Sequence, residues 1–261
     1  MTHVMLGNVY RDVKNRTGIV VRLDGSPRSK GINIIREICD RIKELIPTGH
    51  TSFIFEISDF DFEKILIPDD SEIERISYYI DDLGFRIGFY LKTGNYFSTT
   101  DSLAGEKSKI EIVSIGRTMR ALQLPEGPES PLIIHLGSAQ GDRKGIMEKF
   151  CEFHSTLPED IRNRICVIND EKPSLFSVKD LLPGVTATNQ IPIVFRSISF
   201  PTNQGNLSYR ESLFLAASSW PKESSPIIIY LPYGKTLESD EMNPYGMSLD
   251  IIFDNHLPDP E

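Results

Sequence analysis

Short apolar runs alternate with helix-like patterns along almost the whole chain, and this alternation constrains the fold more than any other feature. Several runs are continuously apolar, as in residues 131–137 and 226–231. Strands that helices cover on both faces have this pattern, whereas half-exposed antiparallel strands alternate apolar and polar residues. The repeated β-α order therefore predicts an α/β fold, a parallel sheet with crossover helices.

We predict eight strands, a number that favours a closed (β/α)8 TIM-type barrel over an open sheet. The strands are residues 4–10, 52–57, 86–92, 132–137, 164–169, 193–198, 227–231 and 249–253. Helices are predicted around 35–45, 71–83, 109–122, 146–157, 178–182 and 208–218. The length of 261 residues suits one such barrel, so a single domain 1–261 is expected. Because little chain follows the eighth strand, we expect the barrel to be incomplete at its C-terminal end.

Composition narrows the class of protein. The 37 acidic and 28 basic residues give a formal charge of −9, which is unfavourable for a binder of bare DNA, because such binding depends on Lys and Arg. The three cysteines, Cys39, Cys151 and Cys166, are scattered, so neither a disulfide framework nor a zinc site is expected. We expect a reducing, cytoplasmic compartment. No apolar run approaches the ~18 residues of a membrane span, and the N-terminus lacks a signal-peptide pattern, so no membrane partner is expected.

Polar residues at the carboxyl ends of the predicted strands form the candidate site, because active sites of parallel barrels lie there. They are Glu56, Lys92, His135, Asn169, Asp170, Arg196, Tyr230 and Asp254. His135 is the most informative, since imidazole suits manganese, zinc or iron. The alternative is a histidine held by a neighbouring backbone group or carboxylate. Asn169 and Asp170 are either site residues or a solvated turn. Asp254 is either a metal ligand or a polar chain end.

An ordered series of short motifs between Ile133 and Trp220 resembles the ultraviolet-damage endonuclease family. The series includes Ile-His135-Leu-Gly-Ser, Ile-Asn-Asp170 and Phe-Ser-Val-Lys-Asp180, with weaker matches near the second and third strands. That family is a (β/α)-barrel nuclease that nicks DNA on the 5′ side of ultraviolet photoproducts. It uses a cluster of divalent metals, commonly manganese, which activate water and stabilise charge on the attacked phosphate. The resemblance therefore implies damaged DNA as a partner.

The resemblance also implies that most of the metal ligands are replaced. His135 keeps a ligand histidine, and Asp254 corresponds to a ligand glutamate. Lys92 stands in place of a ligand histidine, Ile168 in place of a glutamate and Arg196 in place of an aspartate. The two new cations occupy positions where metal ions would bind, and a like-charge contact at ~4 Å costs several kcal/mol even when screened.

One part of the family's DNA-handling equipment is partly retained. Its Gln-Tyr pair, which wedges into the duplex at the lesion, reads Asn95-Tyr96 in this chain. A tyrosine in this place can stack on a base. The alternative is a loop aromatic that packs on its own barrel.

Three functions remain open, and whether the chain is an enzyme is open with them. The first, which we favour, is a catalytically impaired homologue without a cofactor that acts as a binding or interaction module in DNA repair, with damaged DNA or a protein as partner. The second is an active endonuclease that holds Mn²⁺ or another divalent metal with His135, Asp170 and Asp254. The third is a metal-free barrel that binds a phosphate or carboxylate through Lys92 and Arg196. Lys92, His135, Asp170 and Arg196 are the candidate catalytic residues.

Overall fold

The computed structural model describes the central part of the chain in most detail. It describes residues 16–22, 51–57, 74, 77–78, 86–91, 97, 102–137, 142–186, 189–196, 199–222, 224 and 227–229. The predicted strands 4–10 and 249–253 and the predicted helix 35–45 lie outside the described residues. So do Lys92, Asn95, Tyr96, Tyr230 and Asp254.

Seven parallel strands close into a barrel, which confirms the predicted barrel fold. They are β1 Arg16–Arg22, β2 Thr51–Ile57, β3 Arg86–Leu91, β4 Leu132–Ile134, β5 Ile165–Ile168, β6 Ile193–Arg196 and β7 Ile227–Ile229. Each strand pairs with the next in chain order. The pairing of Arg16 with Ile227 joins β1 to β7, so the described ring closes directly between these two strands.

The strand β1 is absent from the sequence-based prediction, which places the first strand at residues 4–10. Its apolar segment is only Ile19–Val21, and an arginine stands at each end of the strand. A run this short gives little periodicity to detect. The other six strands overlap their predicted positions, although β4 ends at Ile134, so His135 follows the strand rather than lying within it.

Five helices are described: α1 Ser102–Ala121, α2 Arg143–Thr156, α3 Glu159–Arg162, α4 Val178–Leu181 and α5 Tyr209–Ser218. A 3₁₀ turn covers Gly127–Glu129, and a π-helical turn covers Leu182–Thr186. Capping boxes start α4 and α5, with Ser177 and Ser208 as the N-caps. Each box satisfies backbone N–H groups that the first helical turn leaves free. No helix within the described residues is long and apolar enough to cross a membrane.

The core lies between the strands and the surrounding helices. The ring of Phe195 in β6 packs edge-on against Tyr209 of α5, with the ring centroids 5.3 Å apart. Since successive strand residues point to opposite faces, the side of β6 that carries Val194 and Arg196 faces the barrel interior. Arg164, which is 2% exposed, ties the start of β5 to α3 and to the segment that follows α1 by donating to the carbonyl oxygens of Asp160, Leu124 and Pro125.

Candidate active site at the carboxyl ends of the strands

Four neighbouring strands direct polar side chains into the same end of the barrel interior. Tyr90 in β3 pairs with Ile133 in β4, so His135, two residues beyond Ile133, is on the same face of the sheet. The same alternation along β5 and β6 directs Asp170 and Arg196 to that face. The register of the parallel strands thus brings three of the predicted residues together, with Tyr90 added to them.

Tyr90, His135 and Asp170 form a continuous chain of contacts. The hydroxyl of Tyr90 lies in short contact with Nε2 of His135. On the other side of the ring, Nδ1 of His135 lies 2.5 Å from Oδ1 of Asp170. The side chains of His135 and Asp170 are 11% and 7% exposed. Both ring nitrogens of the imidazole therefore contact a protein oxygen in a nearly closed site.

The contact between His135 and Asp170 is close but poorly aligned. Nδ1 of His135 is buried and lacks an oriented hydrogen-bond partner among the described residues, even though the carboxylate touches it. A small rotation of either side chain would align a hydrogen bond between the two atoms. A cation held by both atoms would take the place of this hydrogen bond, because imidazole nitrogen and carboxylate oxygen are common metal donors, and the two side chains would then lie further apart.

Asp170 is held by its own loop rather than exposed as a turn residue. Its backbone N–H donates to the carbonyl oxygen of Phe176 at 2.9 Å, and the N–H of Phe176 lies 3.4 Å from Asp170 Oδ2. The amide of Asn203 donates to the carbonyl oxygens of Asp170 and Lys172 at 3.1 and 3.0 Å. Since Asn169 and Asp170 are 1% and 5% exposed, the interpretation of this segment as a solvated turn is wrong.

Asn169 positions Arg196. Its side-chain Oδ1 accepts a hydrogen bond from the backbone N–H of Arg196 at 2.7 Å, and its Nδ2 donates to the carbonyl oxygen of Arg196 at 3.1 Å. The Asn169 amide thus takes the place of a neighbouring strand's backbone at the end of β6. Arg196 itself is half-buried, and no ion pair joins it to another described residue.

His154 is a histidine at the opposite end of the barrel, where a cavity of about 490 Å³ lies below the starts of β5 and β6. Its Nε2 hydrogen-bonds to the carbonyl oxygen of Arg162 at 3.2 Å, and Asn189 Nδ2 donates to its Nδ1 at 3.2 Å. Burial lowers the pKa of this imidazole to about 4. His154 is therefore neutral and satisfied by protein groups, which gives it a structural role.

Residues 64–241, more than half of the chain, match the family model described as UV-endonuclease UvdE. The chain belongs to the UvdE family. It is 24% identical over 186 residues to the UV DNA damage endonuclease of Bacillus pumilus and 27% identical over 96 residues to that of Clostridium perfringens. The first alignment covers 71% of this chain and 57% of the relative, and the second covers 36% and 23%. The chain thus spans about half the length of the Bacillus pumilus relative and less of the other.

Solved structures share the fold. The crystal structure of SacUVDE superposes with a TM-score of 0.62 at 20% identity, over 85% of this chain and 82% of that one. A D-psicose 3-epimerase crystallised in the presence of D-fructose gives a TM-score of 0.59 at 11% identity, over 84% and 86% of the two chains. At such identities these similarities establish the barrel architecture alone.

The described residues at this end of the barrel do not fit a UvdE-type metal cluster. Ile168, which stands where the resemblance expects a glutamate, is 1% exposed and apolar. Arg196 brings a cation to the same face, where it would repel a metal ion. No group of three or more His, Cys, Asp or Glu side chains suitable for a metal occurs among the described residues. His135 and Asp170 offer two donors, enough to contribute to a single ion.

Two residues of the site are absent from the sequence-based prediction: Tyr90, which contacts the imidazole, and Asn203, which holds the Asp170 loop. Tyr90 lies two residues before Lys92 in the predicted strand 86–92, and this spacing predicts both on one face. That spacing marks Tyr90 as a candidate site residue, but its contact with His135 depends on the register between β3 and β4.

Proposed function

We propose that this UvdE family member is a catalytically impaired barrel that binds DNA, preferentially damaged DNA, without cutting it. The observation that carries the proposal is the interior face on which Arg196 and Ile168 accompany the His135–Asp170 pair. A guanidinium group repels a metal ion but binds a phosphate through paired, charge-assisted hydrogen bonds. A DNA ligand is supported by the relatives, which are named UV DNA damage endonucleases.

In this proposal Arg196 neutralises a backbone phosphate at the barrel mouth. Asn169 fixes the backbone of Arg196, so the guanidinium enters the site from a rigid strand end. His135 cannot coordinate a metal without giving up a contact to Tyr90 or Asp170. The site then offers a phosphate a fixed cation but no activated water, which cleavage of a phosphodiester requires.

The test is binding and incision measured on the same DNA. A duplex with one ultraviolet photoproduct and an undamaged duplex are titrated with the protein at several salt concentrations, with and without Mn²⁺. We expect binding without incision. Arg196→Gln should reduce the slope of log K against log[salt] by ~0.9, the value of one lost phosphate contact on B-DNA. Incision 5′ of the photoproduct would contradict the proposal.

Arg86→Gln is the matched control for Arg196→Gln. Arg86 starts β3 at the opposite end of the barrel, its side chain is 48% exposed, and its exposed ion pair with Glu129 contributes little stability. We expect this variant to bind DNA with the affinity and salt slope of the unmodified protein. If Arg86→Gln lowered the affinity and the salt slope as much as Arg196→Gln, Arg196 would act through net charge alone.

A protein partner and a cytoplasmic location also belong to this proposal. A chain with a formal charge of −9 has weak general attraction for DNA, so a second protein that delivers it to the lesion would complement the local phosphate contact. The three cysteines are scattered along the sequence with no disulfide-type spacing, which suits a reducing compartment. Affinity capture from a lysate under reducing conditions, before and after irradiation of the cells, tests whether such a partner exists.

A second candidate function is an endonuclease with a reduced metal site, and the buried, unaligned Nδ1 of His135 favours it. One divalent cation would be held by His135 Nδ1 and Asp170 Oδ1, and when bound it would supply an activated water. Metal content after incubation with Mn²⁺ and desalting separates the two functions. Retained stoichiometric manganese that disappears in His135→Ala would favour the endonuclease, and no retained manganese would favour the binding module.

A further inference from the structure

We infer that a polar cavity beside the barrel mouth is a second phosphate-binding site, which takes a backbone phosphate of the same DNA a short distance from Arg196. The inference rests on the proposed DNA-binding function. The cavity, of about 480 Å³, lies between the loops that follow β4, β5 and β6. It is lined by Arg143, Pro173, Lys179, Asp180 and residues 201–206. We call it the loop cavity.

The charge of the loop cavity is positive. Its one carboxylate, Asp180, is fully engaged: Oδ1 is 3.0 Å from Arg143 Nη1, and Oδ2 accepts from the backbone N–H and the hydroxyl of Ser177 at 2.9 and 2.7 Å. Arg143 also donates to the carbonyl oxygen of Pro173. Lys179 is exposed, and no ion pair joins it to another described residue. One uncompensated positive charge therefore remains among the described lining residues.

The wall that faces Lys179 is a rigid turn. Gly205 and Asn206 have φ values of 60° and 61°, and the N–H of Leu207 donates to the carbonyl oxygen of Gln204 at 3.1 Å. Positive φ at both central residues with this hydrogen bond defines a type I′ turn. A Cβ at position 205 would overlap Ser177 Oγ and crowd the stem of Lys179, so the glycine allows the turn to pack directly on α4.

The loop cavity is joined to the candidate active site by Asn203. This residue lines the cavity, and its amide donates to the carbonyl oxygens of Asp170 and Lys172. Asp170 in turn contacts His135. A DNA strand whose phosphate reaches Arg196 in the mouth would thus have the loop cavity beside it, with amide side chains and a lysine to receive a neighbouring phosphate.

An anionic ligand fits this set of groups better than a neutral one. The lining has no apolar side chains other than Pro173 and Pro201, whereas pockets for neutral organic ligands are mostly apolar. The lining amides of Gln204 and Asn206, together with a flexible ammonium, are typical of contacts to the sugar-phosphate backbone, which fix position without reading sequence.

The salt dependence of DNA binding tests the inference. We expect Lys179→Gln to lower the slope of log K against log[salt] by ~0.9, and Lys222→Gln to leave it unchanged. Lys222 is an exposed lysine in the loop between α5 and β7, at the far end of the barrel. If Lys179→Gln binds DNA with the affinity and the salt slope of the unmodified protein, the loop cavity does not bind a DNA phosphate.

A second probe keeps this inference separate from the proposed function. Inorganic phosphate is titrated into ¹⁵N-labelled protein while the amide signals of residues 204–206 are followed. We expect saturable shifts that Lys179→Gln abolishes. If the unmodified protein fails to bind DNA but these shifts occur, the proposed function fails and the anion site stands. If neither the shifts nor the slope change is observed, the loop cavity is not a phosphate site.

Discussion

Replacing Asn169 by alanine should destabilise the barrel strongly, because its amide makes two partly buried hydrogen bonds to the backbone of Arg196. Asn169 is 1% exposed, and the bonds measure 2.7 and 3.1 Å. Asn169→Ala leaves the N–H and the carbonyl oxygen of Arg196 without these partners. Each unpaired buried group costs about 1–3 kcal/mol. Some relaxation or water entry is expected, so we predict a loss of about 2–4 kcal/mol in the free energy of unfolding.

Urea titration of purified variants measures this loss, with tryptophan fluorescence as the probe. Trp220 is the single tryptophan, and its indole N–H donates to the carbonyl oxygen of Ile193 at the start of β6. Asn163→Ala is the control, since Asn163 is exposed and should change the free energy by less than about 0.5 kcal/mol. Asn169→Asp should be as harmful as Asn169→Ala, because it places a carboxylate oxygen against the carbonyl oxygen of Arg196. An Asn169→Ala loss below about 0.5 kcal/mol would refute the positioning role.

Three further predictions concern stability. The folded pKa of His154, about 4 against an ordinary 6.5, means that the unfolded chain binds the proton more readily, so stability falls as pH drops from about 6.5 towards 4. Urea titrations at pH 7.5 and at pH 5 measure the free energy of unfolding of the unmodified protein and of His154→Gln. Between these two pH values the unmodified protein should lose about 2 kcal/mol more than the variant, and equal losses would contradict this. Arg164→Met should lower the free energy of unfolding by more than about 3 kcal/mol, because three carbonyl oxygens, one buried and two partly buried, lose their donor. A marginal change in thermal unfolding would disprove this. Gly205→Ala should lower the free energy of unfolding by about 2 kcal/mol, because position 205 has a positive φ and a Cβ there would overlap Ser177. Asn206→Gly, at the adjacent positive φ, should be tolerated. Equal effects of the two changes would argue against the turn geometry.

The fold could be predicted from the sequence where the pattern was strong. The continuous apolar runs around Leu132–Ile134 and Ile227–Ile229 identified buried parallel strands, because only strands covered on both faces are apolar throughout. The helix at Arg143–Thr156 followed from the spacing of its apolar residues. The strand Arg16–Arg22 could not be recognised, since its apolar segment is three residues long.

The candidate site could be predicted in its members but not in its contacts. His135, Asp170 and Arg196 come at or near the carboxyl ends of predicted strands, and the barrel fold brings these ends together. The contact of Tyr90 with His135 depends on which residues of β3 and β4 pair, and the sequence of either strand alone does not contain this register. The hydrogen bonds between the Asn169 amide and the backbone of Arg196 also depend on which segments lie side by side.

A single plasmid experiment measures DNA binding and incision by this chain together. Supercoiled plasmid, irradiated with ultraviolet light, is incubated with the protein and Mn²⁺, and both complex formation and conversion to nicked circles are measured. The Bacillus pumilus UV DNA damage endonuclease serves as the positive control. We predict that the plasmid is bound and remains supercoiled. Nicking 5′ of the photoproducts, at a rate that falls sharply in His135→Ala, would show that the chain is an active endonuclease.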